Sequence, residues 1–368
     1  MIKTVTWPPP YPYDRLNELK VFGEKFDGGL VNLSIGRPCD PPPPEVISAQ
    51  SSSGLEAGYP PSIGTQRLRT SAQGWLQRRF GVDVEVDQVA ACVGTKEFVA
   101  STPALLKMRN SDRDTVLYPE VSYPTYAMGA TLAGLRAVPV SMDSSWRIDL
   151  STIDPSDAAR ALCLWVNTPG NPAGGLDDLA AVAAWGREHG VPVLSDECYI
   201  EFTWGNDPQS ILHHGTEGVL AVHSLSKRSN YAGGRVGVYA GDAELVAYLS
   251  ECRKHTGKLI AGPMHEAGAV AFDDDDHVDR QRQRYLNRMN RLIEVLNAAG
   301  FKAGLPEGAF YLWVEAPSGD GWEFARKLAE NLGMLVSPGE FYGEAGSGYV
   351  RLAAVEPLEL IDRLLERV

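Results

Sequence analysis

The residues best suited to chemistry fall in five short segments: Gly94-Thr95-Lys96-Glu97, Asn167-Thr168-Pro169-Gly170-Asn171, Ser195-Asp196-Glu197-Cys198-Tyr199, Ser224-Leu225-Ser226-Lys227-Arg228 and Gly233-Gly234-Arg235. Gly94 and Thr95 precede an apolar helical stretch, so Thr95 is expected to cap a helix whose free N–H groups form a phosphate cradle. Asp196 and Tyr199 bring a carboxylate and a phenol to the end of an apolar run, and the turn-rich loop fixes two amides, Asn167 and Asn171. Lys227 adds an amine. Taken singly each has a bland reading as well: Asp196 as a cap, Tyr199 as core, Lys227 as a surface amine. Neither a GxxxxGK[ST] loop nor a GxGxxG fingerprint occurs, so ATP-type and dinucleotide cradles lose their main support.

The elements that must position these groups are short apolar runs alternating with helical stretches. The runs are Ala90 to Val93, Thr115 to Tyr118, Ala137 to Val140, Ala161 to Val166, Val191 to Leu194, Val219 to His223 and Val236 to Ala240. Strands alternating with helices imply an α/β fold with a mostly parallel, doubly wound sheet. Ligands bind at the carboxyl ends of such strands, where four of the five segments lie. From Thr65 the residues Leu68, Ala72, Trp75, Leu76 and Phe80 recur at helical spacing, and Gly81 is placed as a stop. After about residue 245 a long polar helix is expected from His277 to Ala299, then a strand over Phe310 to Val314. The expectation is therefore a large α/β domain over 45–245 and a smaller α+β domain built from 1–44 and 246–368. The proline-rich stretches Trp7 to Tyr13 and Pro41 to Pro44 read as stiff surface connectors, and the Asp273 to Asp276 run as a solvated helix cap opposing the macrodipole, with no metal.

Composition narrows the partners. With 34 Lys and Arg against 47 Asp and Glu the net charge is −13, which argues against nucleic acid or an anionic membrane. Five cysteines without paired spacing read as reduced thiols, three of them inside apolar runs. Met1 to Pro8 lacks the apolar core of a signal peptide, and no stretch has the length to cross a bilayer, so a soluble cytoplasmic protein is expected.

Together, the order and spacing of these segments resemble the fold-type I pyridoxal-phosphate (PLP) aminotransferases of class I/II, and the resemblance runs from Asn32 to Arg351. It implies that Lys227 carries the cofactor and that Asp196 pairs with the pyridine nitrogen. Asn171 and Tyr199 would bond the ring oxygen, Tyr123 would stack on the ring, and Ser224, Ser226, Arg235 and the backbone of Gly94, Thr95 and Lys96 would hold the phosphate. Catalysis would fall to Lys227, Asp196 and Tyr199. Tyr59, in Tyr59-Pro60-Pro61-Ser62-Ile63-Gly64, matches the tyrosine that reaches the phosphate from the neighbouring subunit, which implies a homodimer with shared sites. Gly36, in Ser34-Ile35-Gly36-Arg37-Pro38, and Arg351, in Tyr349-Val350-Arg351-Leu352-Ala353, match substrate-side residues, Arg351 as the clamp for the α-carboxylate. Arg37 and Lys96 are candidates for further carboxylates.

Within the class, His223 to Asn230, Ser195 to Glu201 and Asp40 before its prolines look like the actinobacterial N-succinyldiaminopimelate aminotransferases. That likeness implies amino transfer between L-glutamate and N-succinyl-2-amino-6-oxopimelate, in lysine and diaminopimelate synthesis. A different class I/II aminotransferase or a PLP-dependent C–S β-lyase is the alternative. A transcription regulator would need a basic DNA-binding domain for which this acidic chain has no room.

Overall fold

The computed structural model describes residues 10–368, so the reading of Met1 to Pro8 and the first residues of the Trp7 run lie outside the described residues. In chain order the elements begin with α1 (Asn17–Gly23), β1 (Val31–Asn32), α2 (Pro44–Ser51), α3 (Gln66–Phe80), β2 (Val89–Cys92), α4 (Thr95–Arg109), β3 (Thr115–Pro119), α5 (Thr125–Leu132) and β4 (Arg136–Val140). Next come α6 (Pro155–Arg160), β5 (Ala161–Asn167), α7 (Leu179–His189), β6 (Val193–Asp196), β7 (Val219–Ser224), α8 (Leu225–Arg228) and β8 (Gly237–Gly241). The chain closes with α9 (Ala243–His255), α10 (Gly262–Asp273), α11 (Asp276–Ala298), β9 (Tyr311–Glu315), α12 (Gly321–Leu332), β10 (Met334–Leu335), β11 (Ser337–Pro338), β12 (Tyr349–Ala353) and α13 (Leu358–Leu365).

Each of the seven apolar runs holds a strand of one sheet, in the order β2-β8-β7-β6-β5-β3-β4 among the described residues. All neighbours are parallel except β8, which runs antiparallel to β2 and β7. β5 shows why the runs are continuously apolar: Leu164 and Val166 enter the core on one face, Cys163 and Trp165 the core on the other. Side chains alternate across a strand, so a sheet covered on both faces has no polar positions to spare. α3 forms as expected: the Thr65 hydroxyl accepts the Leu68 N–H, Gly81 ends the helix at φ 69°, and Leu68, Ala72, Trp75 and Leu76 are buried.

Packing against this sheet continues past 245, the expected domain boundary. Ala267, Ala271 and Phe272 of α10 share a core with Leu164 and Val238, and Val246 and Leu249 of α9 lie on the opposite face. The texture changes instead at α11. Tyr285, Met289, Leu292 and Leu296 pack with Phe310, Leu352 and Ile361, and also with Leu16, Leu19, Val31 and Leu33 from the start of the chain. There β11, β12 and β9 form an antiparallel sheet, and β1 pairs in parallel with β10.

Two expectations change in detail. The acidic run is ion-paired: Asp273 meets Arg67 at 2.6 Å, Asp275 meets Arg78 at 3.1 Å, and Asp274 accepts the His277 N–H. Of the five thiols, Cys92 and Cys163 are buried, Cys198 and Cys252 half-buried and Cys39 exposed, so fewer are core than expected. Asp40, just before its prolines, is gripped by Arg288 at 2.6 and 2.8 Å and by Gln281 at 2.8 Å, while Gln281 also receives a bond from Asn230 at 3.0 Å. This clasp ties the segment after Lys227 to the segment after Gly36.

Candidate active site

The carboxyl ends of β5, β6 and β7, with the start of α4, surround a cavity of about 450 Å³. At its floor, α4 begins at Gly94 and not, as expected, with a Thr95 cap: Gly94 is the N-cap, no side chain caps the helix, and Thr95 is the first helical residue. The Thr95 hydroxyl instead accepts a bond from the Cys198 thiol at 3.2 Å. Gly94 has φ 71°, and a Cβ there would stand 2.2 Å from the Arg235 guanidinium, so only glycine lets the loop approach this cation. Arg235 is held by donating to the Ala232 and Val93 carbonyls at 2.9 and 3.4 Å. The Ser224 hydroxyl donates to that of Ser226 at 2.9 Å and accepts the Ser226 N–H at 3.1 Å. Hydroxyls, a guanidinium and a helix N-terminus thus converge, a donor set that suits a phosphate.

On the β6 side, Asp196 is buried yet accepts only from neutral donors: the Cys198 N–H at 3.2 Å and the Tyr126 hydroxyl at 3.0 Å. Burial pushes its pKa up, against the bonds from Cys198 and Tyr126. No cation is paired with it among the described residues. Across the cavity the Lys227 amine donates to the Gly36 carbonyl. Burial brings its pKa down to about 8, with Arg351 and Arg235 acting in the same direction and Cys198 against it. About a tenth of this amine is therefore neutral, and so nucleophilic, at pH 7, and the fraction grows as pH rises through 8.

The facing wall holds an arginine in an aromatic cage. Arg351, on β12, is 2% exposed and donates to Asn171 Oδ1 at 2.8 Å and to the Ser34 carbonyl at 2.6 Å. Its Nε is buried without a partner. The rings of Tyr311 and Tyr342 stand 4.1 and 4.8 Å from the guanidinium carbon. Tyr311 shares a hydrogen bond with Tyr199 at 2.8 Å, and Tyr13 donates to Tyr342 at 2.8 Å. A Cβ on Gly36 would lie 2.1 Å from the Tyr311 hydroxyl, so this loop too is closed to side chains.

The cavity thereby collects Gly36, Thr95, Lys96, Tyr123, Asn171, Asp196, Tyr199, Ser224, Ser226, Lys227, Arg235 and Arg351. Three expected residues do not line it. Gly94 acts through its backbone beneath Arg235, Arg37 is exposed outside the lining, and Tyr59 is 100% exposed. Sequence reasoning missed Tyr11, Tyr13, Tyr126, Cys198 and Tyr311, which all line the cavity. The Tyr11–Tyr13 stretch is no mere connector: it leads into a 3₁₀ helix over Pro12–Leu16, and Tyr11 accepts a bond from Lys96 at 3.2 Å. The four prolines of the Trp7 to Tyr13 run could have signalled a stiff backbone, but nothing in the pattern said what the two tyrosines would meet.

The residues present fit PLP. A buried carboxylate lacking a cation suits a protonated ring nitrogen, the phosphate-type cradle suits the phosphate, and the amine with lowered pKa suits the aldehyde. Comparison with known proteins agrees. The family described as Aminotransferase class I and II matches residues 29–368. The chain is 41% identical to the 4-dedimethylamino-4-oxo-anhydrotetracycline transaminase OxyQ of Streptomyces rimosus, over 94% of each. It is 32% identical to the LL-diaminopimelate aminotransferase of Aquifex aeolicus, over 98% of this chain and 96% of that one. Among solved structures it superposes on a probable N-succinyldiaminopimelate aminotransferase of Thermus thermophilus with a TM-score of 0.86, at 28% identity, over 97% of this chain and all of the other.

Proposed function

The chain belongs to the class I and II aminotransferases, PLP-dependent enzymes of fold type I acting on amino and 2-oxo acids, and from that premise we propose that it moves an amino group between L-glutamate and N-succinyl-2-amino-6-oxopimelate. The observation that carries this reading is a pair of cations at two depths of one cavity, Arg351 buried at the inner wall and Lys96 exposed at the mouth. A substrate with an α-carboxylate and a distant second carboxylate suits two such cations, and the Aquifex and Thermus likenesses support it. Arg37, outside the lining, could take part only from the rim.

In this reading Arg351 clamps the α-carboxylate with its fork, orienting the Cα–H bond for removal. Bound PLP supplies an electron sink for the carbanion that remains. Lys227 is both the attachment point and, once displaced by substrate, the base that takes the Cα proton through Nζ and returns it. Asp196 would hold the ring nitrogen protonated, Asn171 and Tyr199 would bond the ring oxygen, Tyr123 would cover the ring face, and Ser224, Ser226, Arg235 and the start of α4 would hold the phosphate. Tyr59, fully exposed in a single chain, reaches a second copy's phosphate in a homodimer with shared sites. Glutamate gives up its amino group first, and the acceptor takes it in a second half-reaction on the same residues.

A second reading has its own support. Tyr11, Tyr13, Tyr123 and Tyr311 line the mouth and inner wall, a surface suited to a fused-ring ketone, and the Streptomyces relative is a transaminase of such a compound. A screen of acceptors in single turnovers, read by cofactor absorbance, separates the two. Succinylated diaminopimelate with 2-oxoglutarate is expected to outrun aspartate, alanine and aromatic amino acids by a wide margin. Faster turnover of a fused-ring 4-oxo compound would sink the first reading and leave the class intact.

A further inference from the structure

Tyr126 lies second in α5 and is completely buried, an unusual place for a phenol in a helix start otherwise packed on apolar neighbours. Its ring packs tilted by 32° against Trp165 of β5, with centroids 5.4 Å apart, and meets Tyr123 edge-on at 6.4 Å. These contacts leave the hydroxyl one direction, and there it donates to Asp196 Oδ2 at 3.0 Å. The other oxygen, Oδ1, accepts the Cys198 N–H at 3.2 Å. One donor on each oxygen fixes the plane of the carboxylate and leaves its remaining lone pairs facing the cavity. Burial and the neighbouring Asp196 charge hold the Tyr126 pKa well above its ordinary value, so the phenol stays a donor at every working pH. The other titratable groups around the carboxylate include Cys198 and Tyr199 after β6, Lys227 within α8, Tyr123 before α5 and Arg235 before β8. None of them donates a side-chain N–H or O–H to it.

We propose that Tyr126 is a positioning residue of the amino-transfer reaction, which aims Asp196 and keeps it anionic so that the cofactor ring nitrogen stays protonated. This rests on the reading of Asp196 as the partner of that nitrogen. Without the phenol the carboxylate becomes more basic, the shared proton moves toward Asp196, and the ring loses positive charge. A less positive ring repels the other cofactor proton less, so the visible absorbance change of bound cofactor moves to higher pH.

The test uses Tyr126→Phe, which removes one oxygen and keeps the ring packing, in the wild-type and Asp196→Ala backgrounds. Two quantities are read: PLP affinity of the apo-protein by equilibrium dialysis, and the pH midpoint of holoenzyme absorbance. A hydrogen bond to a charged group corresponds to about tenfold or more in affinity. Tyr126→Phe should therefore weaken PLP binding by about tenfold and raise the absorbance midpoint, and should add nothing further when Asp196 is already alanine. A strong effect of Asp196→Ala with none from Tyr126→Phe overturns the role of Tyr126 alone. No effect of Asp196→Ala removes the reading of Asp196, and the role of Tyr126 falls with it. Equal losses from Tyr126→Phe in both backgrounds overturn the proposal as well, since they show a fold effect that bypasses the carboxylate. Should the phenylalanine variant fold poorly, 3-fluorotyrosine at 126 keeps the ring and strengthens the donor. It must then lower the absorbance midpoint, and an unmoved midpoint overturns the proposal.

Discussion

Arg228 and Arg351 are both 2% exposed, and each leaves one guanidinium nitrogen without a partner, yet their surroundings differ in one respect. Arg228 faces Glu201 at 3.4 Å, donates to the Ala271 carbonyl at 2.7 Å and lies 5.2 Å from the ring centroids of Trp75 and Phe272. Glu201 in turn accepts from Trp75 at 2.7 Å and pairs with Arg79 at 2.9 Å. Arg351 has tyrosines and a carbonyl around it and no carboxylate among the described residues. A buried ion without a counter-charge costs several kcal/mol. The first region completes its own electrostatics and belongs to the fold; the second leaves a charge open, which the carboxylate of the proposed substrate would answer. The same contrast separates Glu201 from Asp196.

Four experiments break or sharpen that contrast, in falling order of effect. Lys227→Ala should abolish turnover while PLP still binds noncovalently, since the phosphate and ring contacts are untouched; sustained turnover without added amine would rule out Lys227. Glu201→Gln, which leaves Arg228 uncompensated, should cost about 3–5 kcal/mol of stability in urea unfolding, with cofactor spectra unchanged in the folded fraction. Arg351→Ala should do the reverse. Both half-reactions should weaken by a similar factor, worth about 1.5–3 kcal/mol for a charge-assisted contact, with an unfolding midpoint nearer the wild type's than that of Glu201→Gln. A loss confined to one substrate would mean that Arg351 reads a side chain. The smallest effect concerns pH. Because burial lowers Lys227 to about 8, the reactive neutral amine increases as pH rises through that value. Covalent capture of PLP by apo-protein, followed by absorbance, should accelerate about tenfold from pH 7 to pH 9, and a flat profile would contradict the lowered pKa.

Much of this was legible in the sequence because burial on both faces leaves a plain mark: a strand such as Ala161–Asn167 cannot carry a polar residue until it emerges at Asn167. Loops following such runs are where side chains become free for chemistry, so Asp196, Lys227 and Asn171 could be found without a structure. Other tyrosines were not legible, since Tyr13, Tyr126 and Tyr311 have the composition of ordinary core and differ only in where the hydroxyl points. Thr95 misled because Thr before an apolar helix is a common cap, whereas here the helix starts one residue earlier than that reading allows, with Gly94 at the cap and Thr95 already helical. The expected boundary at 245 rested on texture along the chain, whereas α9 and α10 are assigned by what they cover, the two faces of the large sheet.

The clasp on Asp40 has a consequence for how the chain comes together. Asp40 closes on Gln281 and Arg288 across 241 and 248 residues of sequence, and Val31 pairs with Met334. Contacts of such separation carry a large loop-closure cost and form late. On the ribosome, where the N-terminal part emerges first, the Ser34 carbonyl has neither Ser337 nor Arg351 to bond until β11 and β12 have been synthesised. The wall of the cavity that would grip the substrate is therefore among the last parts to be assembled, well after the lysine-bearing sheet can fold.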